Sequence, residues 1–255
     1  MIYGKLPVVF LSTIASEKKD NTNSQIAAYL LDHLEESRSM GIRDLAEACS
    51  VSVSSLSRFC REIGLRDFAE LKELLLTSDL HFQTSGDRQS PGDMAREYGE
   101  LVTASIRQAQ ETVDMRAVSR LCGELKKYRR TAVFGLLKAG AVALNLQGDL
   151  LMLGKQVYTN ISYSQQMQYL LSASEEDLIL IFSYTGSYFD YQELTYSERK
   201  RLSSPRIWMV CGSDRTLPPF VDQAIRFRSR QDQISHPYQL QFVAGLIAQE
   251  YQAIQ

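Results

Sequence analysis

Residues Ile42–Gly64 read IRDLAEACSVSVSSLSRFCREIG, in which two short helical patterns flank a tight turn. Ala46 is a small residue where two helices can cross closely, and Leu56 and Phe59 have the spacing that packs the second helix onto the first. Ser52 can cap the second helix, and Gly64 is of the type that ends one. The segment predicts a helix-turn-helix, with Ser50 at a turn position where glycine is frequent.

The second helix of this motif has polar side chains to spare for recognition, because Leu56 and Phe59 are assigned to the core. Hydroxyls near a helix N-terminus can reach phosphates and base edges, and an arginine can bond both acceptors of guanine. Residues 1–80 carry nine Lys and Arg against twelve Asp and Glu, so a DNA-binding surface must concentrate its positive charge locally. The alternative is a helical bundle whose serines are solvated and whose Arg58 pairs with an acid. The candidate DNA-binding residues are Ser52, Val53, Ser54, Ser57, Arg58 and Arg61.

Further helices are predicted on both sides of the motif, one capped by Ser24 and ending near Leu34, the other at Phe68–Leu76. A segment rich in Ser, Thr, Gly, Pro and Asp predicts a linker at 79–93. Beyond it, helical segments from about Met94 alternate with short apolar runs, an order typical of a parallel sheet covered on both faces. The chain is thus divided into an all-α domain at 1–78 and an α/β domain at 94–255. The predicted strands are Thr131–Phe134, Gln156–Tyr158, Asp177–Phe182, Ile207–Val210 and Ala224–Phe227, and the last helix is 237–253.

The loop after the most apolar strand is rich in hydroxyls, Ser183-Tyr184-Thr185-Gly186-Ser187. Ligands bind at the carboxyl ends of parallel strands, where hydroxyls, backbone N–H groups and a helix N-terminus can hold a phosphate. The loop therefore predicts a phosphate cradle, and an ordinary strand-to-helix turn is the alternative.

The N-terminal segment resembles the DNA-binding domain of RpiR-type bacterial transcription regulators, in a series of matches that runs from Leu45 to Lys72. In that family a helix-turn-helix bundle precedes a SIS-type (sugar isomerase) parallel-sheet α/β sandwich that senses phosphosugars. The resemblance implies double-stranded operator DNA and a phosphosugar effector as partners, and a homodimer, or a tetramer, as the assembly. The matching residues are Leu45, Ala46, Val51, Ser52, Arg58, Phe59, Gly64, Phe68, Glu70, Leu71 and Lys72.

The resemblance also implies two ligand-binding loops, which this chain matches unequally. Ser183, Thr185 and Gly186 fit the family pattern Ser-x-Ser-Gly-x-Thr, Ser187 is offset by one position, and Tyr188 stands where the final Thr would be. The first loop departs further, because Leu137 and Ala139 replace the Gly and Ser of Gly-x-Gly-x-Ser.

Other groups could supplement these two loops. Lys138 can pair with a phosphate, or it can be a solvated lysine. His236 at the start of the last helix is a further ligand candidate, with a structural role as its alternative. Tyrosines are abundant here, and they suit either a sugar or core packing. The candidate ligand-binding residues are Lys138, Ser183, Thr185, Gly186, Ser187 and His236.

Composition narrows the remaining classes of protein. Apolar residues make up 44% of the 255 residues and charged residues 23%, typical of soluble globular proteins, and no stretch predicts a membrane span or signal peptide. Four cysteines without a CxxC pair favour reduced thiols in the cytoplasm, and we expect no metal and no cofactor. A phosphosugar-controlled regulator is the preferred hypothesis. A regulator whose degenerate SIS domain only dimerises is the second, and a sugar-phosphate isomerase the third, disfavoured because His236 is the one histidine of that domain.

Overall fold

The computed structural model describes residues 5–18, 20–78 and 90–255, and it begins with a bundle of short helices. The two helical patterns of Ile42–Gly64 correspond to α4 and α5, which form the helix-turn-helix. The bounds are α1 Lys5–Ser16, α2 Thr22–Asp32, α3 Leu34–Ser37, α4 Ile42–Ala48, α5 Val53–Glu62 and α6 Phe68–Thr77.

Local chemistry explains where these helices begin and end. The Ser52 hydroxyl accepts the Ser55 N–H at 3.0 Å and caps α5, as predicted, and Gly64 leaves the helix with φ of 88°. Ser50 adopts φ of 55°, so a serine takes the left-handed turn conformation that glycine would adopt more easily. The prediction that Ser24 caps a helix is wrong: Asn21 caps α2 by accepting the Asn23 N–H at 2.9 Å, and Ser24 lies inside the helix.

Helix α1 differs from the expectation from the sequence, which has no helix before Ser24. Its side chains Leu6, Val8, Val9 and Phe10 are buried. The ring of Phe10 lies 6.1 Å from the ring of Phe59 on α5. Helix α1 is thus part of the core that supports the helix-turn-helix.

The C-terminal part is the predicted α/β fold, with a sheet of four parallel strands in the order β1-β2-β3-β4. A 3₁₀ helix, Tyr188–Tyr191, follows β2. The strands are β1 Arg130–Gly135, β2 Asp177–Phe182, β3 Arg206–Cys211 and β4 Gln223–Arg226. The helices are α7 Pro91–Thr112, α8 Met115–Lys127, α9 Lys138–Met152, α10 Tyr163–Ser172, α11 Tyr196–Leu202 and α12 Ser235–Ala253.

Two predictions in this region differ from the structure. The strand expected at Gln156–Tyr158 is reduced to one parallel bridge between Ala132 and Tyr158, at the β1 edge of the sheet. The linker expected at 79–93 falls mostly on residues outside the described ranges, together with His81, and α7 begins at Pro91, capped by Ser90. The domain boundaries themselves stay a prediction.

The two faces of the sheet are covered by different parts of the chain. One face packs against α7, α8, α9 and α12. The other face packs against α10 and the 3₁₀ helix, and its core continues without a break into the helical bundle, from Met209 through Tyr163 to Phe10 and Phe59. The helix-turn-helix is therefore docked on the sheet through a shared hydrophobic core.

Candidate functional site

The outer face of α5 is exposed, as DNA recognition requires. Val53 is 41% exposed, and the side chains of Ser54, Arg58 and Arg61 are exposed as well, while Leu56 and Phe59 are fully buried. The predicted division of this helix between core and surface is confirmed.

Three of the six candidate DNA-binding side chains, Ser52, Ser54 and Arg58, also form intramolecular contacts. The Ser52 hydroxyl caps α5 and contacts the hydroxyls of Ser54 and Ser55 at 2.8 and 2.9 Å. Arg58 Nε lies 3.7 Å from Glu62 Oε1, in a pair whose side chains are 59% and 46% exposed. Exposed pairs of this spacing contribute about 0.3–0.5 kcal/mol, so DNA phosphates or bases can replace Glu62 at little cost.

Arg61 lies at the C-terminal end of α5, where the helix meets the α/β domain. It lines an open groove of about 580 Å³ together with Ser164 and Gln168 of α10 and Arg201 of α11. Ser57 is half-buried on the same helix. Five of the candidates thus share a continuous helix surface with Ser52 at its start.

The second candidate site is a cleft at the carboxyl ends of β1 and β2. The loop after β1 is tight, since a Cβ on Gly135 would lie 2.5 Å from the Ala139 carbonyl oxygen at the start of α9. Leu137 occupies the next turn with φ of 50° and ψ of −116°, a conformation that side-chain-bearing residues rarely adopt. Leu137, which stands where the family pattern has a glycine, is therefore accommodated with backbone strain.

The hydroxyl-rich loop after β2 lies opposite. Ser183, Thr185 and Ser187 all line the cleft, and the hydroxyls of Thr185 and Ser187 are 2.6 Å apart. Gly186 has φ of 73° and packs beneath Leu217. Among the described residues, none accepts the backbone N–H of Thr185 or of Ser187. These hydroxyls and N–H groups form a polar surface suited to an anion.

The helix expected directly after this loop is wrong in kind, because Ser187 leads into a 3₁₀ helix of four residues. The α-helix N-termini near the cleft are those of α9, which starts at Lys138, and of α12, which starts at Ser235 beside the cleft residue His236. Helix dipoles can therefore act on the cleft from α9 and α12, and not from the loop after β2.

Two predicted ligand residues have partners that change their roles. His236 is buried at the cleft and stacks on Tyr184 at 4.6 Å; burial, with a smaller contribution from Lys138, lowers its pKa to about 4. Its imidazole is therefore neutral near pH 7 and can donate or accept a hydrogen bond, but adds no positive charge. Lys138 is not among the described residues that line the cleft, and its Nζ donates to the Gln233 carbonyl at 3.2 Å.

Aromatic side chains close the cleft, which the sequence did not predict. Tyr188 and Tyr191 line it beside Leu136, and the cavity between them has a volume of only about 50 Å³. That is well below the roughly 300 Å³ at which small-molecule pockets begin. The abundance of tyrosine was visible in the sequence, but the position of Leu136 carried no signal.

The tyrosines connect the cleft to the helical bundle. Tyr163 at the start of α10 packs its ring 5.7 Å from Tyr188 and 5.6 Å from Tyr191. Its backbone N–H donates to the Ser12 hydroxyl of α1 at 3.0 Å, and that hydroxyl donates to the Ile161 carbonyl at 2.8 Å. Tyr163 and helix α1 thus lie between the cleft and the helix-turn-helix.

Comparison with known proteins agrees with the two kinds of domain. Residues 10–80 match the helix-turn-helix domain of the rpiR family. The HTH-type transcriptional regulator HexR of Pseudomonas aeruginosa is 26% identical over 202 residues, which cover 77% of this chain and 71% of HexR. An uncharacterised HTH-type transcriptional regulator of Providencia stuartii is 22% identical over 217 residues, covering 80% and 77%.

Solved structures share the architecture. The Vibrio vulnificus NanR protein, complexed with ManNAc-6P, superposes with a TM-score of 0.54 at 14% identity, covering 98% of this chain and 92% of that one. The sugar isomerase domain of an RpiR transcription factor from Sphaerobacter thermophilus gives a TM-score of 0.50 at 18% identity, covering 66% and 91%. At these identities the likeness establishes the fold.

The chain is a helix-turn-helix transcription regulator whose DNA-binding bundle precedes a domain with the sugar-isomerase fold. Residues 10–80 match the rpiR-family helix-turn-helix domain that the N-terminal sequence resembles. In the described part of the chain, no helix is long and apolar enough to cross a membrane. Within the same ranges, no group of three or more His, Cys, Asp or Glu side chains is placed to hold a metal ion.

Proposed function

We propose that this regulator binds operator DNA through the exposed face of α5, and that a phosphosugar in the cleft between the β1 and β2 loops controls its DNA affinity. It acts in the cytoplasm as a homodimer and catalyses no reaction. The observation that carries the proposal is the direct packing of the cleft tyrosines against the bundle that holds α5.

The effector class follows from the chemistry of the cleft. Three hydroxyls and two available N–H groups at the end of β2 suit a phosphate, and the neutral His236 suits a hydroxyl of the attached sugar. NanR, which shares the fold, has been solved with ManNAc-6P, a phosphosugar. This support makes hexose and hexosamine phosphates the first candidates.

The size of the cleft implies how the effector acts. A cavity of about 50 Å³ holds little more than a few waters, so a phosphosugar must displace Tyr188 or Tyr191. Both rings contact Tyr163, whose N–H is bound to Ser12 on α1, and Phe10 of α1 stacks on Phe59 of α5. Effector binding therefore moves side chains that contact α1, the helix packed against the recognition helix α5.

The homodimer rests on the geometry of DNA and on exposed apolar side chains. Two recognition helices must match half-sites about 34 Å apart, so a small rotation between subunits changes affinity. On α9 the side chains of Leu151 and Met152 are 62% and 80% exposed, and Met94 on α7 is 56% exposed. A second copy that covers these side chains would remove about 25 cal/mol per Å² of apolar surface from water.

Two alternatives remain distinct hypotheses. The narrow cleft and the strained Leu137 favour a regulator whose α/β domain only dimerises, and that alternative predicts no effector. An isomerase needs a base beside the substrate carbon. No carboxylate is among the described residues that line the cleft, and His236 is buried against Tyr184, which disfavours isomerase activity.

The DNA-binding role predicts the effect of Arg58→Ala. The binding free energy of this variant for a duplex from the region upstream of the protein's own gene should weaken by about 1–3 kcal/mol, because a contact to bases or phosphates is lost. Fluorescence anisotropy titrations measure this change. Glu62→Gln is the matched control: it breaks the same ion pair but keeps the arginine, so affinity should be unchanged or higher. Wild-type affinity in Arg58→Ala, with an unchanged melting temperature, would contradict the assignment.

Thermal-shift measurements with hexose and hexosamine phosphates test the effector. At 100 times its dissociation constant a true effector stabilises the folded chain by about 2.7 kcal/mol. Ser187→Ala removes a cleft hydroxyl that is 2% exposed and should reduce that shift. If no phosphosugar shifts the wild type, the purely dimerising domain is the correct hypothesis; conversion of an aldose phosphate to a ketose phosphate would support the isomerase.

A further inference from the structure

Helix α11, in the α/β domain, carries an exposed basic surface that the fold itself does not use. Tyr196 is 86% exposed, the highest exposure of any large hydrophobic side chain in the described ranges, and Lys200 and Arg201 are exposed in the last turn. Tyr196 and Lys200 are four residues apart and so lie on one face of the helix. Neither Lys200 nor Arg201 forms an ion pair with a described residue. We refer to Tyr196, Lys200 and Arg201 as the α11 surface.

The α11 surface lies beside the C-terminal end of the recognition helix α5. The side chain of Gln192 packs so closely on Gly64 that a Cβ there would be 2.9 Å from its Oε1. Arg66 Nε lies 3.6 Å from Glu193 Oε2, and α11 begins three residues later at Tyr196. Contacts between the two domains therefore fix the position of α11 relative to α5.

Arg61 and Arg201 line the same open groove, one from each domain. Three carboxylates share that groove, and each has a local partner. Glu62 pairs with Arg58, Glu193 pairs with Arg66, and Glu198 accepts the Thr195 N–H at 2.8 Å at the start of α11. Neither Arg61 nor Arg201 forms an ion pair with a described residue, so both side chains can bind an external anion.

The dimensions of DNA match this arrangement. A recognition helix in the major groove, about 12 Å wide, has a phosphate strand on each side. A helix of seven residues is about 10 Å long, so Lys200 and Arg201 at its end remain within reach of a strand that flanks α5. Lys, Arg and Tyr side chains are common phosphate contacts, and such contacts position a protein without reading sequence.

We propose that the α11 surface is a second DNA contact, in which Tyr196, Lys200 and Arg201 bind backbone phosphates next to the bases contacted by α5. This inference rests on the proposed DNA-binding function. It makes the α/β domain part of the DNA interface. DNA affinity then depends directly on how the two domains are docked.

The test measures the salt dependence of DNA binding by the full chain carrying Lys200→Gln and Arg201→Gln. The probes are a duplex from upstream of its own gene and a scrambled duplex of equal length. Each lost phosphate contact reduces the slope of log K against log salt by about 0.9, so we expect a reduction of about 1.8 per half-site. Affinity at 0.15 M salt should fall about 30-fold per half-site for both duplexes, with the preference between them unchanged.

The matched control removes two positive charges from the opposite face of the sheet. Arg116 and Lys127 are exposed on α8, so Arg116→Gln with Lys127→Gln changes net charge equally and should leave the slope unchanged. Wild-type slope in the α11 variant, or an equal decrease in the α8 variant, would overturn the inference and leave the α5 contact standing. If the wild type bound neither duplex, the proposed DNA-binding function would fail as well.

Discussion

Leu137 shows at a single residue how this cleft differs from one built on glycine. Its φ of 50° and ψ of −116° lie where a Cβ crowds the backbone, a strain of about 1–3 kcal/mol. Two features maintain this strained conformation. The connection between Gly135 and α9 is short, and Leu137 is partly buried against the hydrophobic core that the sheet shares with the helical bundle.

This strain predicts that glycine at position 137 gives a more stable protein than alanine, the reverse of the order expected inside a helix. Leu137→Gly and Leu137→Ala lose similar packing, but only glycine relaxes at this φ, so Leu137→Gly should be more stable by about 1 kcal/mol in urea unfolding. At Ala141, an exposed helical position on α9, substitution by glycine should instead cost about 0.5–1 kcal/mol. Equal stability of the two Leu137 variants would show that the backbone there is relaxed.

His236 makes the stability of the fold depend on pH. Burial lowers its pKa to about 4 from an ordinary value of 6.5, so between these values the unfolded chain binds a proton that the folded chain does not. The free energy of unfolding therefore decreases as the pH falls from about 6.5 to about 4. This contribution is fully present above pH 6.5.

His236→Gln isolates that contribution, because all other groups titrate in both proteins. Between pH 7 and pH 4.5 the wild type should lose about 2–3 kcal/mol more unfolding free energy than the variant, measured by urea denaturation at each pH. Parallel pH profiles for the two proteins would mean that His236 is protonated in the folded state, and that it can offer a positive charge to a phosphate.

At the scale of elements, prediction succeeded where a segment's own pattern determines its structure. Strand β2 has the predicted bounds because six residues in a row are buried from both faces, and α5 begins at its predicted serine cap. The segment at Gln156–Tyr158 is as apolar as a weak strand, but only one bridge forms because Tyr158 lies at the sheet edge, where half the hydrogen-bonding partners are absent.

The cleft could be predicted only in part, because its closure depends on contacts between segments that are far apart in the sequence. The hydroxyls of Ser183, Thr185 and Ser187 stand close together in sequence, so their common loop was recognisable. Closure of the cleft by Tyr188 and Tyr191 depends on Tyr163 behind them, and Tyr163 is in turn fixed by Ser12, 151 residues away. No periodicity within either segment encodes a contact of that range.

At the scale of the whole molecule, α1 joins the two candidate sites. Its inner side chains fill the core of the bundle, and its Ser12 hydroxyl bridges the Tyr163 N–H and the Ile161 carbonyl of the α/β domain. A ligand that moves the cleft tyrosines therefore acts on a helix packed directly against α5. The coupling free energy between two ligands of a protein is typically about 1–3 kcal/mol. A hydrogen bond contributes about 0.5–1.5 kcal/mol, so the two hydrogen bonds of the Ser12 hydroxyl can carry part of this coupling.

Ser12→Ala should uncouple the two sites while it leaves both of them intact. Affinity for the upstream duplex without effector should stay within about threefold of the wild type, since no residue of α5 changes. The change in affinity caused by the phosphosugar that stabilises the wild type most should shrink about fivefold, because the bridge contributes about 1 kcal/mol to the coupling. Anisotropy titrations with and without that phosphosugar measure both quantities. Ser16→Ala is the matched control on α1, because among the described residues the Ser16 hydroxyl bonds only the Thr13 carbonyl of its own helix. An identical response of the two variants would show that the signal bypasses α1.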